Sequence, residues 1–256
     1  MTIVERVVAR DRAILLIGIL TISGLAWTYT VREAWGMHEM HAGMDMTGAL
    51  MTVWTPHDAL LMFLMWTVMM VAMMTPSVAP MVLVYALYSR KLKQENRPYA
   101  PASAFLAGYL LVWTGFSVVA TAAQWGLQKA ALLSMMMEPT SKVFAGIVLL
   151  VTGVYQWTPL KHACLKHCRG PLAVLMHGWK PGIRGAMLMG IRHGAYCTAC
   201  CWFLMLLLFA TGVMNLLWVA LISVIVLLEK AAPRGDILAR VAGVLLAAAG
   251  VWLLAR

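Results

Sequence analysis

Apolar runs of bilayer length recur along this chain, and they limit what it can fold into. Residues 13–31 form the first run, about as long as a hydrocarbon layer demands of an α-helix. Others follow at about 59–88, 103–124, 143–159, 193–210, 216–228 and 237–254. Inside a bilayer each backbone N–H and C=O must find its partner within the protein, so such runs become helices. The expected fold is therefore all-α, a polytopic membrane helix bundle of about seven spans. Hydrophobic residues make up 62% of the 256 and charged residues 12%, more apolar matter than a soluble core calls for.

The net charge of +10 is then a topological signal rather than a sign of nucleic-acid binding, and no nucleic-acid partner is expected. Of the 20 lysines and arginines, only Arg32, Lys129, Lys142 and Arg256 fall in segments on the side opposite the N-terminus, so 16 share the N-terminal side. The positive-inside rule puts that side in the cytoplasm, and seven spans put the C-terminus in the periplasm. Residues 1–31 read as an N-terminal anchor helix, because a cleavable A-x-A pattern is not clear. Residues 32–57 read as an external loop, and 58–256 as the helix bundle, with a cytoplasmic Cys/His loop at 160–192.

Soft ligands are concentrated in a few places. The chain has 21 methionines. Met37, His38, Met40, His41, Met44 and Met46 crowd into the external loop beside Glu39 and Asp45, and thioether with imidazole suits Cu(I). Met62, Met65, Met69 and Met73 fall on one helical stripe of the second span, with Met70 and Met74 on an adjacent stripe beside Trp66. Packing alone accounts for such a stripe, and a soft-metal path is the alternative. Pro76 and Pro80 should kink that helix and free carbonyls.

All five cysteines lie in the second half, and an odd number does not suggest a disulfide framework. Cys197, Cys200 and Cys201 sit where a basic segment becomes apolar. Their spacing of three and four puts the thiols on one helical face, one to two turns in from the cytoplasmic side. The 160–192 loop holds His162, Cys164, His167 and Cys168, with the two thiols four apart. Nearby Lys161, Lys166 and Arg169 are expected to favour thiolate. Pro171, Gly178, Pro181, Gly182 and Gly185 are expected to break the rest of that loop into short pieces. His177 and His193 are weaker candidate ligands.

Four segments, WTVMMVAMMTP, TPLKHACLKHCRGP, YCTACCWFLM and the stretch from GVMNLLW to LLEK, resemble an uncharacterised bacterial family of integral membrane proteins labelled as metal-binding. The likeness runs from about residue 59 to 256. It implies a multi-pass protein of the bacterial inner membrane, with Cys164, Cys168, Cys197, Cys200 and Cys201 as ligands. Glu229 and Lys230 match the family pattern without an evident role.

These readings converge on the handling, delivery or transport of a soft transition metal. Copper is the expected ion and zinc the alternative. Methionine and histidine would capture it outside, and thiols would hold it near the cytoplasmic face. The lipid bilayer is one partner, and a metallochaperone or a membrane enzyme is the other. Two alternatives stand beside this one: a thiol–disulfide oxidoreductase using Cys197 and Cys200, and a non-catalytic subunit whose small residues in the last span (Ala242, Gly243, 247–250) pack on a partner. No catalytic residue is identified, since no nucleophile–base pair or carboxylate pair stands out.

Overall fold

The computed structural model describes residues 3–43, 54–134, 137–170, 175 and 178–256, with side chains of the first helix described from 12 to 36. Among these residues the chain forms eight helices and no strand. They are α1 (Ile3–Gly43), α2 (Pro56–Gln94), α3 (Ala102–Lys129), α4 (Lys142–Tyr155), α5 (Pro159–Arg169), α6 (Gly182–Thr211), α7 (Leu216–Ala231) and α8 (Gly235–Leu254). Five of them, α1, α2, α3, α6 and α8, are long and apolar enough to cross a membrane. A sixth is added if α4 and α5, bent by 64° at their junction, count as one crossing.

Local chemistry sets the helix starts. Thr55 caps α2 by accepting from Asp58 N, and the Asp58 carboxylate accepts from Thr55 N in return, with Pro56 in the first turn. Thr158 accepts from Lys161 N and is followed by Pro159 in the first turn of α5, which is why the chain turns there rather than extending α4. Pro181 sits at the N-cap of α6 and Gly182 takes a positive φ of 75°, so these residues start a helix instead of fragmenting the segment. The expectation of short pieces across 182–192 is corrected accordingly. The first helix likewise continues to Gly43, beyond the boundary expected at residue 31.

Helix α6 is the centre of the bundle, packing on α3, α4, α5 and α7. Its contact with α3 is close because two glycines meet there. A Cβ on Gly190 would strike the Phe105 carbonyl, and one on Gly108 would strike that of Met187. Small residues permit this approach in an apolar bundle. Small residues of α8 are also used within the chain. Gly243 lies against Gln156 and Trp157, and Gly250 against Leu150, while Ala248 and Ala249 are exposed.

Pro76 and Pro80 lie inside α2, which continues through both as one helix. Pro76 has no N–H to give the Ala72 carbonyl, and the Ser23 hydroxyl of α1 donates to it instead at 3.1 Å. The neighbouring Met74 carbonyl accepts from Ser77 Oγ at 2.9 Å and from Tyr109 OH of α3 at 3.3 Å. The outside of the bundle is strongly apolar: Leu20, Leu25, Leu217 and Leu245 are all about two-thirds exposed. Such a surface suits lipid rather than water.

Candidate metal centre

The three cysteines of α6 share a face, as their spacing requires. Cys200 and Cys201 both turn their thiols onto the Cys197 carbonyl, at 3.1 and 2.8 Å. The Cys197 sulfur points elsewhere. Lys230 Nζ of α7 donates to it at 2.8 Å, and the Tyr109 hydroxyl lies 3.0 Å from it. The same ammonium donates to Ser77 Oγ of α2 at 3.1 Å. Three helices therefore meet at this sulfur, and α2 joins them through the Lys230 ammonium.

The second pair of cysteines joins this group from α5. Cys164 and Cys168 both lie within electrostatic reach of Cys200, and all five cysteines belong to one buried core. All five thiols are buried and free of disulfides. The two sequence clusters thus fold onto one locus. It lies midway along α6, ~22 Å from the start of that helix at 1.5 Å per residue. Helix α6 runs on past the ends of α4 and α7, so the locus is nonetheless level with those ends.

Helix α5 divides its ligands between two faces. Lys161, Cys164, Leu165 and Cys168 face the bundle, while His162, Lys166, His167 and Arg169 line an open cavity. The bundle face also carries a buried ion pair, Lys161 Nζ to Glu229 Oε2 at 2.6 Å, with side-chain exposures of 0% and 1%. Desolvating two charges is costly, and a short, fully buried pair keeps the cost bearable. The pair ties α5 to α7 directly below the thiols.

The expectation that nearby cations would promote thiolate on α5 does not hold. Burial pushes the Cys164 thiol above its usual value, and Lys161 opposes this only in part. The neighbouring Cys200 thiol, followed by burial, pushes Cys168 up as well. Lys161 is committed to Glu229, Lys166 is on the far face, and Arg169 is spent on the Ala232 and Pro233 carbonyls and Asp236. Burial followed by the neighbouring Arg192 lowers the His167 imidazole below its usual value. Its ring stacks on Tyr196 at 3.8 Å.

Among the described residues, no three His, Cys, Asp or Glu side chains converge closely enough to enclose an ion. The reason is visible at Cys200 and Cys201, whose sulfurs are turned onto a carbonyl rather than toward each other. What the locus offers is a reservoir of soft donors.

The methionine stripe leads to this point. Met65, Met69, Met70, Met73 and Met74 are buried, and Met62 accepts a weak hydrogen bond from Gln124 at 3.5 Å. Tyr109 donates to the Met74 carbonyl and touches the Cys197 sulfur, so it joins the end of the stripe to the thiols. Of the amino-terminal candidates, Met37, His38, Met40 and His41 are on the last turns of α1, where side chains are not described. Met44 and Met46 lie outside the described residues, as does His177.

Lys230, Tyr109 and Ser77 are site residues that sequence reasoning did not single out as such. The one available signal was the adjacent Glu229 and Lys230 at the end of an apolar helix. Successive residues on a helix point about 100° apart, so one meets Lys161 and the other Cys197.

A family model described as PpoB2, copper chaperone, matches residues 63–253. The chain belongs to this family. The match takes in the methionine stripe from Met65 onward, all five cysteines and Lys230, and begins after the amino-terminal Met/His segment. Comparisons with curated proteins and with solved structures gave no match.

Proposed function

We propose that this copper-chaperone family member holds Cu(I) on its buried thiols and hands it to a copper-requiring enzyme or to a metallochaperone. One observation carries the reading: the Cys164/Cys168 pair and the Cys197/Cys200/Cys201 triad are buried in one core, with Cys164 and Cys168 within electrostatic reach of Cys200. Soft thiolates select Cu(I), and the thioether stripe that ends at Tyr109 supplies weaker ligands of the same character along the approach. Zinc fits less well, because structural zinc sites call for a closed tetrahedral set. Binding would proceed by exchange, each cysteine giving up its thiol proton as it takes a share of the metal.

The topology in this reading has seven crossings, with the N-terminus in the cytoplasm of a bacterial cell and the C-terminus in the periplasm. The crossings through α4 and α7 are short, ~21 and ~24 Å at 1.5 Å per residue. The thiols then lie at the cytoplasmic edge of the inner membrane, where α5 and the basic 160–192 segment cover them. The Met/His segment at 37–46 lies outside and collects the ion, and His162 and His167 serve as accessory ligands.

A redox role has one observation in its favour, the proximity of the Cys168 and Cys200 thiols. It would pair cysteines of different helices rather than the Cys197/Cys200 spacing in one helix. The test that separates the two readings is copper content per purified chain, measured under anaerobic conditions. The proposal expects about one or more equivalents in the wild type and their loss when all five cysteines become serine. Equal copper in both proteins would overturn it.

A further inference from the structure

Beside the thiols is a cavity of about 870 Å³, lined by His162, Lys166, His167, Arg169, Arg192 and Asp236 among others. Its size is at the upper end of small-molecule sites. Its charge is unbalanced. Arg169 is consumed by Asp236 and two backbone carbonyls, which leaves Lys166 and Arg192. Among the described residues neither of these has a carboxylate within ion-pair distance. The Arg192 guanidinium lies over the Tyr196 ring, 6.0 Å from its centroid. A cavity walled this way is suited to an anion.

A second observation says what the anion brings. Between the cavity and the thiols stand two imidazoles with unused nitrogens. His167 lines the cavity, and its buried Nε2 has no hydrogen-bond partner. His193, 4% exposed, sits against the rings of Phe105 and Tyr109, and its Nδ1 is likewise without a partner. His193 interacts electrostatically with both His167 and Cys200. A buried, unpartnered polar atom is costly, and two in sequence along one path are poorly explained by packing. Neutral imidazole is a ligand for copper.

We propose that this basic cavity is the exchange port for an anionic thiol complex of Cu(I), and that His167 and His193 pass the ion between that carrier and the cysteines. The idea rests on the copper reading above and adds the carrier's chemical class and its path. The reaction is ligand exchange without change of oxidation state. In loading, two Cu–S bonds to the carrier break and two to protein cysteines form. The two thiol protons of those cysteines pass to the released carrier thiolates, so charge and atoms balance. Lys166 and Arg192 hold the acidic groups of the carrier while this happens, and unloading is the reverse.

The test is a rate measurement on the full-length protein in detergent, following loading from Cu(I)–glutathione, which carries several carboxylates, and from Cu(I)–2-mercaptoethanol, which carries none. Wild-type loading from the glutathione complex should be the faster and should slow as salt is raised. The charge reversal Lys166→Glu, alone and with Arg192→Gln, should cut the glutathione rate by about tenfold and the mercaptoethanol rate far less. Replacing both imidazoles (His167→Ala with His193→Leu) should slow loading from both complexes. Equal wild-type rates from the two complexes, without salt dependence, would overturn the port while leaving copper binding intact. Equal slowing of both complexes by Lys166→Glu would overturn it too. Failure of the wild type to take copper from either complex would overturn the copper reading and the port together.

Discussion

Lys230 places its ammonium 2.8 Å from the Cys197 sulfur, in the interior of an apolar helix bundle. A buried cation demands a counter-charge or full hydrogen bonding, and here its partners are a thiol and the Ser77 hydroxyl. Glu229 faces Lys161 instead. Among the described residues the Lys230 ammonium is thus set against a sulfur and a hydroxyl rather than a carboxylate.

The Lys161–Glu229 pair should behave as a unit. Glu229→Gln leaves a buried ammonium without its anion and should destabilise the protein by ~3–5 kcal/mol. Replacing both residues by apolar ones, Lys161→Met with Glu229→Leu, should recover most of that loss. Thermal unfolding of the detergent-solubilised variants measures both. If the double variant is as unstable as the single one, the pair is not an isolated electrostatic unit.

The α3–α6 crossing predicts a steric effect at Gly190. Gly190→Ala drives a methyl group into the Phe105 carbonyl, and separating the two helices should cost ~1–3 kcal/mol. Gly115→Ala on the same α3 meets nothing within 4 Å and should be neutral or slightly stabilising. Comparing the two melting temperatures checks the crossing directly.

Much of this was legible in the sequence. Apolar length called for membrane helices, and the spacing of Cys197, Cys200 and Cys201 put three thiols on one face. The arrival of Cys164 and Cys168 at that face was not legible. It depends on the turn at Thr158 and Pro159 and on the long-range pair between Lys161 and Glu229, which no local pattern encodes. The reversal of the expected thiol chemistry on α5 has the same origin. Adjacency in sequence set lysines beside cysteines, whereas the helix turned Lys166 away and a distant carboxylate claimed Lys161. Tyr109 was hidden because a tyrosine in an apolar run reads as packing until its hydroxyl is seen on the Cys197 sulfur.

His167 gives a pH prediction. Burial and Arg192 lower its imidazole in the folded protein, so the unfolded chain binds the proton more readily. Stability from this source is fully present above the unfolded value, about 6.5, and is lost as pH falls through and below it. Melting temperatures between pH 7.5 and 5 should therefore decline more steeply for the wild type than for His167→Gln. Parallel curves would show that His167 does not contribute.

The segment at 37–46 lies outside the family match, so its role should be separable from that of the thiols. Its deletion should weaken capture of copper at low external concentration and leave the amount held at saturation unchanged. Metal uptake by vesicles or cells, followed by copper content of the purified protein, distinguishes the two quantities. A fall in saturated content would show instead that the segment carries part of the main site.

The most direct measurement is X-ray absorption at the copper edge on the Cu(I)-loaded protein, with Cys168→Ser and Cys200→Ser beside the wild type. The account predicts a first shell of sulfur in the wild type. It also predicts that each variant, one on α5 and one on α6, changes that shell, because both helices supply one site. A shell made of nitrogen or oxygen, or a sulfur shell untouched by either variant, would contradict it.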